Sequence, residues 1–161
     1  MRIAIGNPFL QGENPDMSAL DRYDRLFVIA AFLIQIVLLA FFAVRKWKFD
    51  TAMQFGWIVY ALAVPAVIVS LVLVISGKPR HLWLAGFLPA AWSVLGYVVD
   101  IARPVAWRSP ILWPVFIPYV LLYCSILTFY WWPLGNIRRR LWFVYAGLFV
   151  ISTILNVSSH S

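Results

Sequence analysis

Five long apolar runs decide what this chain can fold into. They are Leu26–Val44, Phe55–Ser76, Leu82–Ala102, Ile111–Trp132 and Leu141–Val157. Four carry no charged residue; the third carries one, Asp100. A bilayer core is about 30 Å thick and an α-helix rises about 1.5 Å per residue, so about 20 residues cross it. Barrel strands alternate apolar and polar residues, and unbroken runs exclude them. The expectation is an all-α integral membrane protein, a bundle of five transmembrane helices.

Composition closes the soluble alternative. Of 161 residues, 63% are hydrophobic and 12% charged, against about 25% charged in an ordinary soluble domain. A small fold buries only about two-thirds of its surface, which leaves too much apolar side chain in water. The punctuation agrees. Arg45-Lys46-Trp47-Lys48 ends the first helix, and Gly77-Lys78-Pro79-Arg80-His81 makes a short loop in which Gly stops one helix and Pro blocks its continuation. Arg103-Pro104 and Ser109-Pro110 bracket the third connection, and Pro133 to Arg140 is expected to form the fourth. Short connections make consecutive helices antiparallel neighbours. Trp47, Trp57, Trp83, Trp107, Trp113, Trp131, Trp132 and Trp142 sit near run ends, where amphipathic rings meet the headgroups.

Residues 1–25 form a polar N-terminal segment ahead of a single helical domain over 26–161. The segment holds Glu13, Asp16, Asp21 and Asp24, four of the six acids. Asp16-Met17-Ser18-Ala19-Leu20 reads as the start of a short interfacial helix, capped by Asp16 or Ser18. Arg2 is followed only by Ile3-Ala4-Ile5 before Gly6, too short for the apolar core of a secretory signal. The N-terminal side carries eight cations: Arg2, Arg22, Arg25, Lys78, Arg80 and Arg138–Arg140. The opposite side carries five: Arg45, Lys46, Lys48, Arg103 and Arg108. The positive-inside rule then places the N-terminus in the cytoplasm and the C-terminus outside, across a plasma (inner) membrane.

Small residues mark where helices approach each other in lipid. Gly56, Ala63, Ser70 and Gly77 recur every seven residues in the second run. Gly86, Ala90, Ser93, Tyr97 and Asp100 recur at helical spacing in the third. Asp100 is the one acid expected within a span, and a lipid-facing carboxylate costs about 2.5–3.5 kcal/mol. Its phase therefore turns it inward, with Arg103 three residues on and Arg108 in the same loop. Counting from helix ends brings Tyr60, Tyr97, Asp100, Tyr119, Ser152 and Asn156 to one half of the bundle, with Arg103 and Arg108 above them; Gln35 and Tyr123 lie near mid-membrane. One reading is polar glue between helices. The other is a vestibule for a small hydrophobic or amphipathic ligand, opened by kinks at Pro65, Pro89, Pro114 and Pro118.

Chemistry-bearing patterns are sparse. The histidines, His81 and His160, fall on opposite sides of the membrane and cannot share a haem. The lone Cys124 makes no internal disulfide. A zinc-protease helix, an intramembrane Asp–Asp pair and a Ser–His pair are absent from the sequence, so neither a metal nor a cofactor is expected, and an enzyme is the minority reading. The scattered cations make no continuous surface for nucleic acid. In size, five spans and tryptophan content the chain resembles the translocator-protein (tryptophan-rich sensory) family, five-helix bundles that bind porphyrins and sterols. Pro118-Tyr119 is the local likeness; it falls in the fourth span where that family has it in the last, and the early Trp-Pro-Pro signature is missing. The likeness is architectural. The expected function is a non-catalytic accessory or scaffold subunit that packs against lipids and other membrane proteins or its own copies, with the Asp100 vestibule as the alternative.

Overall fold

Asp21 opens the first helix by accepting the backbone N–H of Tyr23 at 3.4 Å, an N-cap that satisfies one of the free donors of the first turn. In the computed structural model, which describes residues 20–103 and 110–158, this helix, α1, runs Arg22–Trp47. The expected interfacial helix at residues 16–20 lies essentially outside the described residues, as does Arg108. The remaining helices are α2 (Phe49–Phe55), α3 (Trp57–Ala61), α4 (Ala63–Ile75), α5 (Arg80–Tyr97) with a π-helical turn at Val98–Ala102, α6 (Trp113–Ile137) and α7 (Arg139–Ser158). Together they give five helical stretches long and apolar enough to cross a membrane: Arg22–Trp47, Phe49–Ile75, Arg80–Ala102, Trp113–Ile137 and Arg139–Ser158.

The boundaries differ from the apolar runs in instructive ways. The second stretch begins at Phe49 rather than Phe55, because Asp50 and Gln54 continue the helix with polar side chains on an exposed face. It is also broken twice. The break at Leu62 falls three residues before Pro65, whose ring clashes with the carbonyl four residues back and has no N–H to give. The fourth stretch runs through Pro133 and Gly135 to Ile137, so the expected loop over Pro133–Arg140 shrinks to Arg138 alone. Pro133 and Leu134 are buried there, and packing overrides their weak helix propensity. Pro114 lies in the first turn of α6, where a missing N–H costs nothing, so it does not kink the span.

The loop after α4 behaves as its residues dictate. Gly77 takes φ +69°, Lys78 N–H donates to the Leu73 carbonyl and Gly77 N–H to that of Val74, both at 3.0 Å. This is the Schellman stop, which needs the left-handed conformation that Gly adopts at least cost. Lys78 then reaches back across the bundle end to the start of α1, with Nζ 3.0 Å from Asp21 and 2.7 Å from Asp24.

The stretches close into a ring in chain order: α1 on α4, α4 on α5, α5 on α6, α6 on α7, and α7 back on α1. One row of α1 faces inward, with Phe27, Ala31, Ile34, Leu38 and Phe42 buried at spacings of three and four, the seam expected of near-parallel helices. Phe27 packs against Tyr130 of α6 with ring centroids 5.6 Å apart, and Phe32 meets Tyr145 of α7 edge-on at 5.7 Å. The α4–α5 contact is the closest. A Cβ on Gly86 would lie 2.1 Å from Ser70 Oγ and 2.3 Å from the Ala66 carbonyl oxygen. The Ser70 hydroxyl donates to the Trp83 carbonyl at 2.7 Å.

Candidate functional site

Asp100 of the third stretch meets Tyr60 of the second. The Tyr60 hydroxyl donates to Asp100 Oδ2 at 2.5 Å. Two local features make that possible. Gly96, one turn before Asp100, leaves room for the Tyr60 ring: a Cβ there would come within 2.4 Å of it. The backbone then widens into the π-turn, in which Arg103 N–H donates five residues back to the Val98 carbonyl at 2.8 Å. Such turns recur at functional positions in helices.

Aromatic rings extend the contact inward. Tyr60 lies 5.8 Å from Trp92, which lies 5.3 Å from Tyr119 and 6.1 Å from Tyr123. These separations suit tilted ring pairs, each worth about 0.5–1.5 kcal/mol beyond burial. Tyr123 in turn faces Ser152 of α7, without either hydroxyl meeting full hydrogen-bond geometry. Asp100, Tyr60, Trp92, Tyr123 and Ser152 thus form a continuous line from the π-turn to α7. Trp92 is buried, and its Nε1 has no hydrogen-bond partner. Gln35, wholly buried on α1, has both amide atoms unpartnered. Buried polar groups are ordinarily satisfied, so these atoms mark a polar interior with hydrogen-bonding capacity left over.

The structure distributes the expected site residues unevenly. Tyr60, Asp100, Tyr119 and Ser152 join through Trp92 and Tyr123. Asn156 is half-buried one turn beyond Ser152. Tyr97 is 50% exposed on the outer face of α5, and Arg103 is exposed beyond the π-turn. The inward row of α5 is Gly86, Pro89, Ser93 and Gly96, with Ala90 half-buried beside it. Gly56 and Ala63 are half-buried and Ser70 fully buried. Gly96 was missed; the signal that could have found it is a glycine in a helix interior, tolerated at about 1 kcal/mol where a neighbour needs the space. Tyr123 was expected near mid-membrane, but its place beside Trp92 was not; Trp92 and the Lys78 bridge carried no local signal.

Two further hollows lie elsewhere. One, of about 260 Å³, is walled by Thr128, Trp131, Trp132 and Trp142, with the Trp131 and Trp142 rings stacked 4.6 Å apart. The other, of about 230 Å³, lies between α1 and the α2–α3 region. Among the described residues no three of His, Cys, Asp and Glu gather as a metal site. No protein family, curated protein or solved structure matches the chain.

Proposed function

We propose that this is an integral membrane protein acting as a non-catalytic accessory or scaffold subunit, packing laterally against other membrane proteins or further copies of itself. Uneven coverage of the five helices supports the reading. In an apolar 18-residue window of each, 44% of α1 and of the α5 stretch is buried, but 22% of the Phe49–Ile75 stretch, 17% of α6 and 11% of α7. α6 and α7 are the least buried of the five. Its Gly147 has nothing within 4 Å of where a Cβ would stand, so a neighbouring helix could approach the backbone closely. Ser70 of α4 and Gly86 of α5, by contrast, meet each other within the chain. The cation bias supports a cytoplasmic N-terminus.

Two measurements test this. Alkaline carbonate extraction leaves an integral protein in the membrane pellet; release into the supernatant overturns membrane placement. Gly147→Cys is then expected to give a disulfide-linked or reagent-linked adduct in native membranes. A chain that stays unlinked there and runs as a monomer from mild detergent overturns the subunit reading.

A second reading follows from the line through Trp92. We infer that a small amphipathic ligand could engage Asp100 and Tyr60 at its polar end and the Trp92–Tyr119–Tyr123 rings along its body. The unpartnered Trp92 Nε1 supports it. Comparison of small molecules co-purifying with wild type and Asp100→Asn is the test; an identical profile overturns it.

A further inference from the structure

Four polar side chains inside the bundle have no hydrogen-bond partner among the described residues. They are Gln35 of α1, Tyr123 of α6, and Tyr145 and Ser152 of α7. Gln35 and Ser152 are wholly buried, and Tyr145 is 1% exposed. Both amide atoms of Gln35 and all three hydroxyls are unsatisfied by protein. Buried groups of this kind are paired in the great majority of folds, either with protein or with ordered water, because a lone one keeps its full desolvation penalty.

The four belong to one region. Phe32 meets Tyr145 with ring centroids 5.7 Å apart, which sets the register of α1 on α7. As first and fifth of five alternating stretches, these two helices run in the same sense. A rise of about 1.5 Å per residue puts Gln35 about 4.5 Å beyond Phe32, and Ser152 about 10.5 Å beyond Tyr145. Gln35 therefore stands at a depth between the two α7 residues. Phe42, two turns on in the same buried row of α1, lies 6.4 Å from the Tyr123 ring. Tyr123 in turn faces Ser152 without the two hydroxyls closing a hydrogen bond. The chemistry of the set selects an occupant. Every member is neutral, and each both donates and accepts. An ion finds no opposite charge among them, and an apolar chain would leave them all unsatisfied. Water is small, donates and accepts, and is held in protein interiors by two to four such groups.

We propose that Gln35, Tyr123, Tyr145 and Ser152 form an internal binding site for ordered water, which carries hydrogen bonding from α1 across to α6 and α7. The site extends the line from Asp100 through Trp92 and Tyr123 one helix further. It rests on burial and hydrogen-bonding capacity, not on the membrane placement or on either reading above. Bonds through a held water are nearly as favourable as direct ones. Here they fasten α7, the least buried of the five helices, to its neighbours.

Magnetisation transfer from water, read by solid-state NMR on the full chain in lipid bilayers, tests it. The glutamines are Gln11, Gln35 and Gln54. Gln11→Asn with Gln54→Asn leaves Gln35 alone, so isotope labelling of glutamine side chains then reports that amide only. The wholly buried Gln35 amide is expected to receive magnetisation from water at short mixing times. Absence of transfer, with the exposed Gln54 amide of wild type as the positive reference, overturns the site; direct pairing of Gln35 with a protein group would give that result. Stability supplies a second reading whose sign decides. Gln35→Met keeps the approximate volume and removes the polar atoms. If water satisfies the amide, the thermal midpoint falls by a few degrees; Ser152→Ala lowers it too, and the double variant falls short of the sum. A midpoint unchanged or raised by Gln35→Met shows an amide that water does not satisfy, and overturns the proposal. The NMR measurement keeps the native Gln35, so it decides the matter even if Gln35→Met does not fold.

Discussion

The hydroxyl of Tyr60 donates to the carboxylate of Asp100 at 2.5 Å, joining residues 40 positions apart in the chain. It ties the short helix α3 to the π-turn that ends α5, two irregular segments with little regular packing between them. A hydrogen bond to a carboxylate stabilises more than a neutral one, and leaving either partner alone in a low-dielectric setting is costly.

Tyr60→Phe and Asp100→Asn should each lower stability by about 1–3 kcal/mol, read as a lower thermal midpoint in detergent. The double variant should fall short of the sum. Additive losses would show that the two side chains do not support each other.

Gly86→Ala should destabilise by about 1–3 kcal/mol, because the added methyl meets the backbone oxygen of Ala66 as well as Ser70. Adding Ser70→Ala should not rescue it, since the Ala66 oxygen remains 2.3 Å away. Gly147→Ala is the matched control. Nothing lies within 4 Å of its Cβ position, and loss of a helix-interior glycine should be neutral or stabilising by up to about 1 kcal/mol. Equal effects at the two glycines in thermal denaturation would refute the close α4–α5 approach.

The bridge from Lys78 to Asp21 and Asp24 should give stability a plateau in pH. Hydrogen bonding to Lys78 holds the Asp21 carboxyl below its ordinary value of 3.8. Its contribution is present above that value and is lost as pH falls through the lower folded value. Hydrogen bonding to Asp24 raises Lys78 above its ordinary 10.5. Its contribution is present below 10.5 and is lost as pH rises through the higher folded value. Lys78→Gln should flatten both edges in unfolding curves taken across pH. Added salt should weaken the wild-type effect, because Asp21 is half exposed.

Much of the fold was legible because long apolar helices leave a local record. Five runs, their charged ends, the Gly77 stop and the Pro79 break after it are each properties of neighbouring residues. The fourth connection was misread for the opposite reason. Pro133 and Gly135 normally end helices, but burial of Pro133 and Leu134 against the bundle holds the helix through them. The candidate site was half legible. Counting from the helix ends brought Asp100, Tyr60, Tyr119 and Ser152 to one half of the bundle, and helical phase turned Asp100 inward; neither could tell that Gly96, not Tyr97, turns inward and admits the Tyr60 ring.

By itself, the sequence determined five apolar helices, their order, and the separation of charge from apolar span, because each depends on residues within one or two turns. Only the tertiary structure decided which partners meet. The Tyr60–Asp100 bond, the Trp92 contact with Tyr123 and the clasp of Lys78 on α1 all join residues from different helices. Their geometry depends on how the helices rotate and approach each other, and small steric facts such as a missing Cβ at Gly86 or Gly96 set that approach.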